Sequence, residues 1–362
     1  MRGGLGAGRR LVRTASLAIA GLGLMALVAW SGIYNVAASR GHWPTTEWIL
    51  RFVMENSVEA HAPDPRMPRL DDPDLVTLGA AHFLSGCAWC HGAPGVPAGT
   101  VAQRMLPPPP DLAGRTDRWT DQELFWIVKH GIKYTGMPSW PTQERDDEIW
   151  TLVAFLRALP SIDAARFRSL AWGGAPDDPK DAADMARFGG EAGSIDACAR
   201  CHGADDRAPA SALVPRLQGQ PAGMLLQALR DYAGGERQSG IMQPIAAALA
   251  ERASVEVASY YAGLAPLPAD AALPSASGRT LGSAGDAAGG IPACESCHKR
   301  DALPIYPRLA GQGAAYIAAR LRAMQQAPRA RTATQAIMMP IARRLTDRQI
   351  VDLAAYFAGL AP

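Results

Sequence analysis

All six cysteines of this 362-residue chain stand in three pairs of identical spacing, and a histidine follows each pair directly. The three motifs are Cys87-Ala-Trp-Cys90-His91, Cys198-Ala-Arg-Cys201-His202 and Cys294-Glu-Ser-Cys297-His298. Cysteines separated by two residues and followed by histidine form the attachment signature of c-type haem. On one helical turn the two thiols reach the two vinyl groups of one porphyrin, and the histidine lies beneath the iron. The motifs therefore predict three covalently bound haem c groups, with the six cysteines as attachment sites and the three histidines as axial iron ligands.

Two other uses of paired cysteines fit these motifs less well. A single pair of this spacing serves as a redox dithiol or as half of a zinc site, and six cysteines in an exported protein can form three disulfides. Neither alternative explains why a histidine follows every pair and why no cysteine is left over.

A methionine follows each motif at a similar distance and is the candidate for the sixth position of the iron. Met242 follows His202 at the same spacing at which Met338 follows His298, and Met137 follows His91 at a slightly longer one. We expect all three in loops before the last helix of their segment. A thioether ligand favours Fe(II), raises the reduction potential and closes the iron to other ligands. The pattern thus predicts outer-sphere electron transfer and no catalytic site.

The rival ligands are less favourable. Met339 would break the matched spacing, and Met105 follows His91 so closely in the chain that we expect it not to reach the opposite haem face. The other histidines, for which we expect surface or packing roles, are His42, His61, His82 and His130.

A proline also follows each motif closely. The candidates are Pro110, Pro215 and Pro307. A proline carbonyl can accept a hydrogen bond from the second imidazole nitrogen and fix the ring orientation, and a simple turn is the alternative role.

The second and third motifs belong to two copies of one sequence unit. PRLQGQ at 215–220 matches PRLAGQ at 307–312, and IMQPIA at 241–246 matches IMMPIA at 337–342. SYYAGLAP at 259–266 likewise matches AYFAGLAP at 355–362. The spacing between the motifs differs by compensating loop changes, which indicates duplicated domains because loops tolerate length changes better than packed elements.

Proline- and alanine-rich stretches divide the chain. We place the three segments at 72–160, 181–266 and 283–362, with linkers at 161–180 and 267–282. Apolar residues at helical spacing predict helices at 120–132, 145–159, 223–235, 314–326 and 345–360. Thr346 can cap the last helix, whereas Ala250 at the matching place cannot. No stretch alternates like a strand, so the predicted fold class is all-α.

The N-terminus predicts a membrane helix. No charged residue occurs in 14–39, which follows Arg2, Arg9, Arg10 and Arg13. This length spans a bilayer, and the arginines predict a cytoplasmic N-terminus. We therefore assign 1–40 as tail and anchor and 41–71 as a juxtamembrane linker. A cleaved signal peptide ending near 36–38 is the alternative, and both interpretations export the rest of the chain.

Each segment resembles a class I cytochrome c in its C-x-x-C-H motif, late methionine and final helix. The second and third segments also resemble the diheme c-four-type cytochromes in PRLxGQ, IMxPIA and the closing YxAGL, whereas the first matches only the general pattern. The resemblance covers the three segments, which together make up more than two thirds of the chain. It implies three tandem class I cytochrome c domains, periplasmic electron carriage between respiratory complexes, and haem edges close enough to relay electrons.

The net charge and its distribution along the chain constrain which partners the protein can bind. A net charge of +2 argues against a nucleic-acid partner. The first two segments each carry 7 basic and 10 acidic residues, and the third carries 10 basic and 5 acidic residues. Opposite charge at the two ends suggests two different redox partners, and a chance distribution of solvated charge is the alternative.

The leading hypothesis is therefore a non-enzymatic triheme electron carrier, anchored in the inner membrane and facing the periplasm. Its donor would be a quinol-oxidising complex or a dehydrogenase, and its acceptor a terminal oxidase or a soluble cytochrome. The alternatives are an electron-transfer subunit of a membrane-bound alcohol or aldehyde dehydrogenase, and a haem enzyme with one displaceable ligand.

Overall fold

The computed structural model describes residues 4–63, 67–172, 195–205, 207–270 and 275–362. Within these ranges the regular elements are helices, and extended pairing is limited to two isolated bridges, Ala93 with Val96 and Asp286 with Ile291. The predicted all-α fold class is confirmed for this part of the chain.

The uncharged N-terminal stretch forms one long helix, α1 (Gly4–Ser31). Its portion Val12–Ser31 is long and apolar enough to cross a membrane, and none of it is buried inside the protein. A signal sequence has the same properties, so the anchor and the signal peptide both stay predictions.

The stretch 41–71 is not merely the linker that its position predicts, since it contains a helix, α2 (Pro44–His61). Proline suits the first helical position because the N–H it lacks would have no partner there. Val58 of α2 is fully buried, and Glu55 forms an ion pair with Arg118 of the first segment at 2.6 Å. This helix is therefore docked on the first segment.

The first segment is built around two crossing helices. Its helices are α3 (Pro73–Gly86), α4 (Ala88–His91), α5 (Thr100–Gln103), α6 (Asp121–His130) and α7 (Asp146–Ala158). Gly79 allows α3 to approach α7 closely, because a Cβ there would stand 2.0 Å from the carbonyl oxygen of Thr151. Phe83 and Phe155 pack beside the crossing with ring centroids 5.0 Å apart.

The predicted linker at 161–180 is wrong over its first part. Residues Ala164–Trp172 form α8, which packs on α3. Its Phe167 and Trp172 are 1% and 3% exposed and belong to the core of the first segment. Composition placed the boundary at 160, but a short helix with one apolar face still has to bury that face. Residues 173–180 of the linker and 181–194 of the second segment lie outside the described residues.

The second and third segments share one plan. In the second, the described helices are α9 (Ile195–His202), α10 (Ala222–Ala233), α11 (Met242–Ala248) and α12 (Glu251–Gly263). In the third they are α13 (Ala276–Ala284), α14 (Glu295–His298), α15 (Ala314–Gln326), α16 (Ala333–Ala342) and α17 (Asp347–Ala358). The five helices predicted from periodicity are confirmed as α6, α7, α10, α15 and α17.

Helix α13 corrects the predicted linker at 267–282 and the predicted start of the third segment at 283. Leu281 of α13 is 6% exposed, and a Cβ on Gly278 would stand 2.1 Å from the carbonyl oxygen of Asp352 in α17. This close crossing repeats the one between α3 and α7, so α13 belongs to the packed segment. Residues 271–274 of the linker lie outside the described residues.

The duplicated PRLxGQ motif docks the second and third segments on each other with two-fold symmetry. The Gln312 side chain accepts the Arg216 N–H at 2.9 Å and donates to the Arg216 carbonyl at 3.0 Å. The Gln220 side chain does the same with Arg308, at 3.0 and 2.9 Å. Each partner uses the same surface, as in the interface of a symmetric dimer. The repeated motif was visible in the sequence, but its pairing with the other copy was not.

The first segment docks on both other segments through the residues before α7. Thr142 Oγ1 donates to Gln238 Oε1 at 2.5 Å, and Arg145 donates to the Gln238 carbonyl at 3.0 Å. Glu144 forms an ion pair with Arg331 of the third segment. The contact between the first segment and the other two, which the sequence left open, is thus present in the structure.

Candidate functional site

Each C-x-x-C-H motif lies on a turn of helix. His91 donates its backbone N–H to the Cys87 carbonyl at 2.9 Å, and His298 donates to that of Cys294 at 3.0 Å. In the second segment the whole motif lies within α9. Residues three apart on a helix share a face, so this geometry brings the two cysteines of a pair to one side.

A proline carbonyl holds each motif histidine, as one of the two interpretations of the sequence predicted. The Nδ1-to-oxygen distances are 2.9 Å for His91 and Pro110, 3.1 Å for His202 and Pro215, and 2.9 Å for His298 and Pro307. With Nδ1–H donating to the carbonyl, Nε2 keeps the lone pair that a metal requires. Burial lowers the pKa of all three imidazoles and so favours the neutral, metal-binding form.

The second and third motifs face one shared cavity of about 1520 Å³. From the second segment it is lined by Cys198, Cys201, His202 and Met242, and from the third by Cys294, His298 and Met338. A pocket for one small molecule measures about 300–1,000 Å³. The cavity is therefore large enough for two cofactors side by side, and most of its wall is apolar, as a porphyrin requires.

The methionines of the second and third segments are placed differently from expectation. Met242 is the first residue of α11 and Met338 lies inside α16, although both were predicted in loops. Both face the cavity, whereas Met339 is 3% exposed and does not line it. The matched spacing therefore selected the cavity-facing methionine of the pair.

In the first segment Met137 lies in the loop between α6 and α7, as predicted. Met105, although close to His91 in the chain, is not far from Met137 in space. Its sulfur lies 3.0 Å from where a Cβ on Gly136 would stand, beside Met137. Chain folding thus brings Met105 to the same loop, and Met137 stays a prediction.

The cavity wall carries an excess of positive charge. Its arginines are Arg145, Arg200, Arg216, Arg237, Arg308, Arg320 and Arg322, and its acidic residues are Asp146, Asp147, Glu148 and Asp231. Arg237 and Arg320 each have a buried Nε without a hydrogen-bond partner in the described structure. Buried guanidinium N–H groups are satisfied by carboxylates. The cavity thus suits haem, whose propionates supply such groups.

The other histidines take the packing and surface roles predicted for them. His82 is 3% exposed, and its Nδ1 lies 3.1 Å from Thr151 Oγ1. Burial, assisted by the Arg200 charge, lowers the pKa of His82 to about 3. His42 contacts the Tyr34 hydroxyl at 2.6 Å on the surface, and His61 and His130 both pack against Trp126.

Crossing terminal helices, a C-x-x-C-H turn with a carbonyl-held imidazole, and an apolar cavity between them define a c-type cytochrome. Comparison with known families agrees. The model of "Cytochrome C oxidase, cbb3-type, subunit III" matches residues 74–156, and the "Cytochrome c" model matches residues 284–361.

Individual proteins of this family are also similar to the chain. The thiosulfate dehydrogenase electron acceptor of Stutzerimonas stutzeri is 37% identical over 172 residues, which are 45% of this chain and 79% of that protein. Cytochrome c4 of Pseudomonas aeruginosa is 32% identical over 169 residues, 45% of this chain and 83% of that protein. Among solved structures, cytochrome c4 of Acidithiobacillus ferrooxidans shares 29% identity, with a TM-score of 0.41, over 45% of this chain and 98% of that one.

The chain belongs to the cytochrome c family and is homologous to cytochrome c4 and to thiosulfate dehydrogenase electron acceptors. It carries three covalently bound haem c groups, one for each C-x-x-C-H motif. Its function is electron transfer, and it is an electron carrier and not an enzyme.

Proposed function

We propose that this chain is a membrane-anchored triheme cytochrome c of the periplasm, built from three tandem domains, that relays single electrons between respiratory redox partners. The observation that carries the proposal is the shared cavity, into which the motifs of the second and third segments both open. Cofactors held in one cavity are close enough to exchange electrons without a mobile carrier between them.

The proposed axial pairs are His91 with Met137, His202 with Met242, and His298 with Met338. In the second and third segments, the histidine and methionine of each pair line the same cavity. Haem c supplies one-electron chemistry, in which its iron alternates between Fe(II) and Fe(III). The chain contributes the oriented imidazole, the thioether and an apolar wall that limits access of water.

Division into three domains is supported by separate packed cores. The core around Phe83 and Phe155 belongs to the first segment and extends to Trp172. The core around Leu281 and Phe357 belongs to the third, and a smaller one around Tyr261 belongs to the second. We accordingly place the end of the first domain at 172 and the start of the third at 275.

Anchoring in the inner membrane is supported by α2 as well as by α1. Trp48, Ile49, Phe52 and Val53 form one apolar face of α2 and are 47–64% exposed. This helix begins only a short stretch of chain after α1 ends. A helix with an exposed Trp- and Phe-containing face suits the surface of a bilayer, which would hold the haem domains close to the periplasmic membrane face.

The proposed electron donor is inferred from the names of the relatives. Relatives named as thiosulfate dehydrogenase electron acceptors support a thiosulfate-oxidising dehydrogenase as the electron donor, more than the alcohol or aldehyde enzyme first considered. A quinol-oxidising complex is the other candidate donor. Reduction of the oxidised chain by thiosulfate dehydrogenase with thiosulfate, compared with reduction by the quinol-oxidising complex with quinol, distinguishes the two.

The closed axial sites are tested by reducing the full chain with dithionite and adding carbon monoxide. We expect an intact mass with three haems and no spectral change with carbon monoxide. Replacing Met137, Met242 or Met338 by alanine should each allow about one haem of three to bind carbon monoxide, because the open iron takes the ligand. Met105→Ala and Met339→Ala are the matched controls. Carbon monoxide binding by the unaltered chain would show that at least one iron is open and would contradict the proposed methionine ligation.

A further inference from the structure

A buried carboxylate of the first segment lies against the loop that precedes Met242. Glu148 of α7 is 4% exposed. Its Oε1 accepts the Ser239 hydroxyl at 2.6 Å, and its Oε2 accepts the Gly240 N–H at 2.7 Å. Both partners belong to the second segment, so this carboxylate joins the two segments at a site from which bulk water is excluded.

The same carboxylate is held from its own segment. Trp140 donates its indole N–H to Glu148 Oε2 at 3.2 Å, and Arg145 lies 3.1 Å from Oε1. Trp140 stands three residues after Met137, in the same loop. Glu148 therefore bridges the loop that carries Met137 and the loop that leads to Met242.

The bridge continues to the backbone of Met242. Ser239 Oγ, which donates to Glu148, accepts the Met242 N–H at 3.1 Å. This N–H belongs to the first residue of α11 and has no partner within the helix, so the serine completes the start of the helix. The position of Met242 is thereby tied to a carboxylate of another segment by two consecutive hydrogen bonds.

The contact is specific to the second segment. A Cβ on Gly240 would stand 2.0 Å from Trp140 Nε1, so the indole and the loop fit only because this residue is glycine. At the matching positions of the third segment the chain has Gln335 and Ala336. The duplicated unit therefore carries this docking surface in one copy only.

We propose that Glu148 is a positioning residue for Met242: docking of the first segment, through Glu148 and Ser239, holds the thioether on the haem iron of the second segment. The proposal rests on the proposed function, in which Met242 is the axial ligand. Because thioether ligation raises the reduction potential, the potential of the second haem then depends on the first segment. The third haem, whose methionine lacks this bridge, does not share the dependence.

The test compares full-length variants Glu148→Ala, Glu148→Gln and Ser239→Ala by carbon monoxide binding, by the methionine-to-iron charge-transfer band of the oxidised protein, and by redox titration. We expect Glu148→Ala to expose up to one haem of three, to remove about one third of the band and to lower one potential. Glu148→Gln, which keeps one accepting oxygen, should give a smaller change. Ser239→Ala removes the hydroxyl without placing a charge or a cavity at the interface, and keeps the test usable if Glu148→Ala does not fold.

Asp74→Ala is the matched control, because Asp74 of α3 also joins the first segment to the second, by accepting the Ala212 N–H at 2.8 Å, and lies outside the loops before Met137, Met242 and Met338. If this variant changes the band as Glu148→Ala does, the effect is general loosening of the docking and the proposal is wrong. Met242→Ala distinguishes failure of the positioning role of Glu148 from failure of the axial assignment of Met242. If it opens an iron while Glu148→Ala and Ser239→Ala do not, the positioning role fails and the axial assignment stands. If it opens none, the axial assignment itself fails.

Discussion

The second and third segments descend from one sequence unit, and the structure shows which parts they share and which they do not. They share the histidine held by a proline carbonyl, the methionine facing the cavity, and the reciprocal arginine–glutamine contacts. They differ where the first segment docks, with Ser239 and Gly240 in one copy and Gln335 and Ala336 in the other. The residues that line the cavity at each motif are repeated, whereas the contact with Glu148 at Ser239 and Gly240 belongs to the second segment.

The copies also differ in the start of their last helix. Thr346 accepts the Gln349 N–H at 3.2 Å and forms a capping box, whereas Ala250 gives α12 no side-chain cap. This difference was predicted from the sequence and is confirmed. It affects local stability, and neither residue lines the cavity.

The largest difference in the free energy of unfolding between the two copies should come from Gly240→Ala in the second segment and the reverse change, Ala336→Gly, at the matching position of the third. The added methyl group would displace the Trp140 indole and break its bond to Glu148, so we expect a loss of about 3 kcal/mol in the free energy of unfolding. Ala336 is exposed in α16, and a glycine there should cost about 1 kcal/mol. Chemical denaturation followed by helical circular dichroism measures both. Equal losses would mean that the docking surface is not specific to the second segment.

The interface between the second and third segments should lose about the same stability when the glutamine of either copy is replaced. Gln220→Ala and Gln312→Ala each remove the two hydrogen bonds to the backbone of the opposite arginine and leave that N–H and carbonyl unpaired, so we expect each to cost about 2 kcal/mol. The same denaturation experiment applies, with exposed Gln227→Ala as the control. A large effect from one glutamine only would contradict the two-fold symmetry.

Removing the cap of α17 and adding one to α12 should make the stabilities of these two helices more alike. Thr346→Ala should lower the free energy of unfolding by about 1 kcal/mol, and Ala250→Ser should raise it by a similar amount. The absorption spectra of the haems should not change in either variant, because neither residue lines the cavity. A gain absent from Ala250→Ser would show that the N-terminus of α12 is already satisfied in another way.

The smallest predicted effect comes from neutralising surface arginines, and it should change the rate of reaction with a redox partner but not the stability. Arg343 and Arg344 of the basic third segment are exposed, and their guanidinium groups donate to backbone carbonyls at 2.6 Å. Neutralising both to glutamine should slow the reaction with an acidic partner several-fold at low ionic strength and little at high ionic strength. Arg252→Gln, on the acidic second segment, is the control. Equal slowing by the control would favour a chance distribution of charge.

Boundaries were the least predictable part of the fold. Helices α2, α8 and α13 lie in stretches predicted to be linkers, from position for α2 and from composition for the other two, and each buries residues against a neighbouring helix. Proline and alanine content reports where a chain tends to turn. It does not report whether a short apolar face nearby has a partner, since that depends on the packing of residues distant in sequence.

What the sequence determined by itself was the local chemistry: three C-x-x-C-H turns, the helices with clear apolar periodicity, and the cavity-facing methionine chosen by matched spacing. These follow from residues a few positions apart or from comparison of the two copies. Only the tertiary structure decided that two haem sites open into one cavity, that Gln220 and Gln312 exchange hydrogen bonds, and that Glu148 reaches the loop before Met242. Each of these contacts joins residues of different segments, far apart in the chain, and their distances depend on how the folded segments dock.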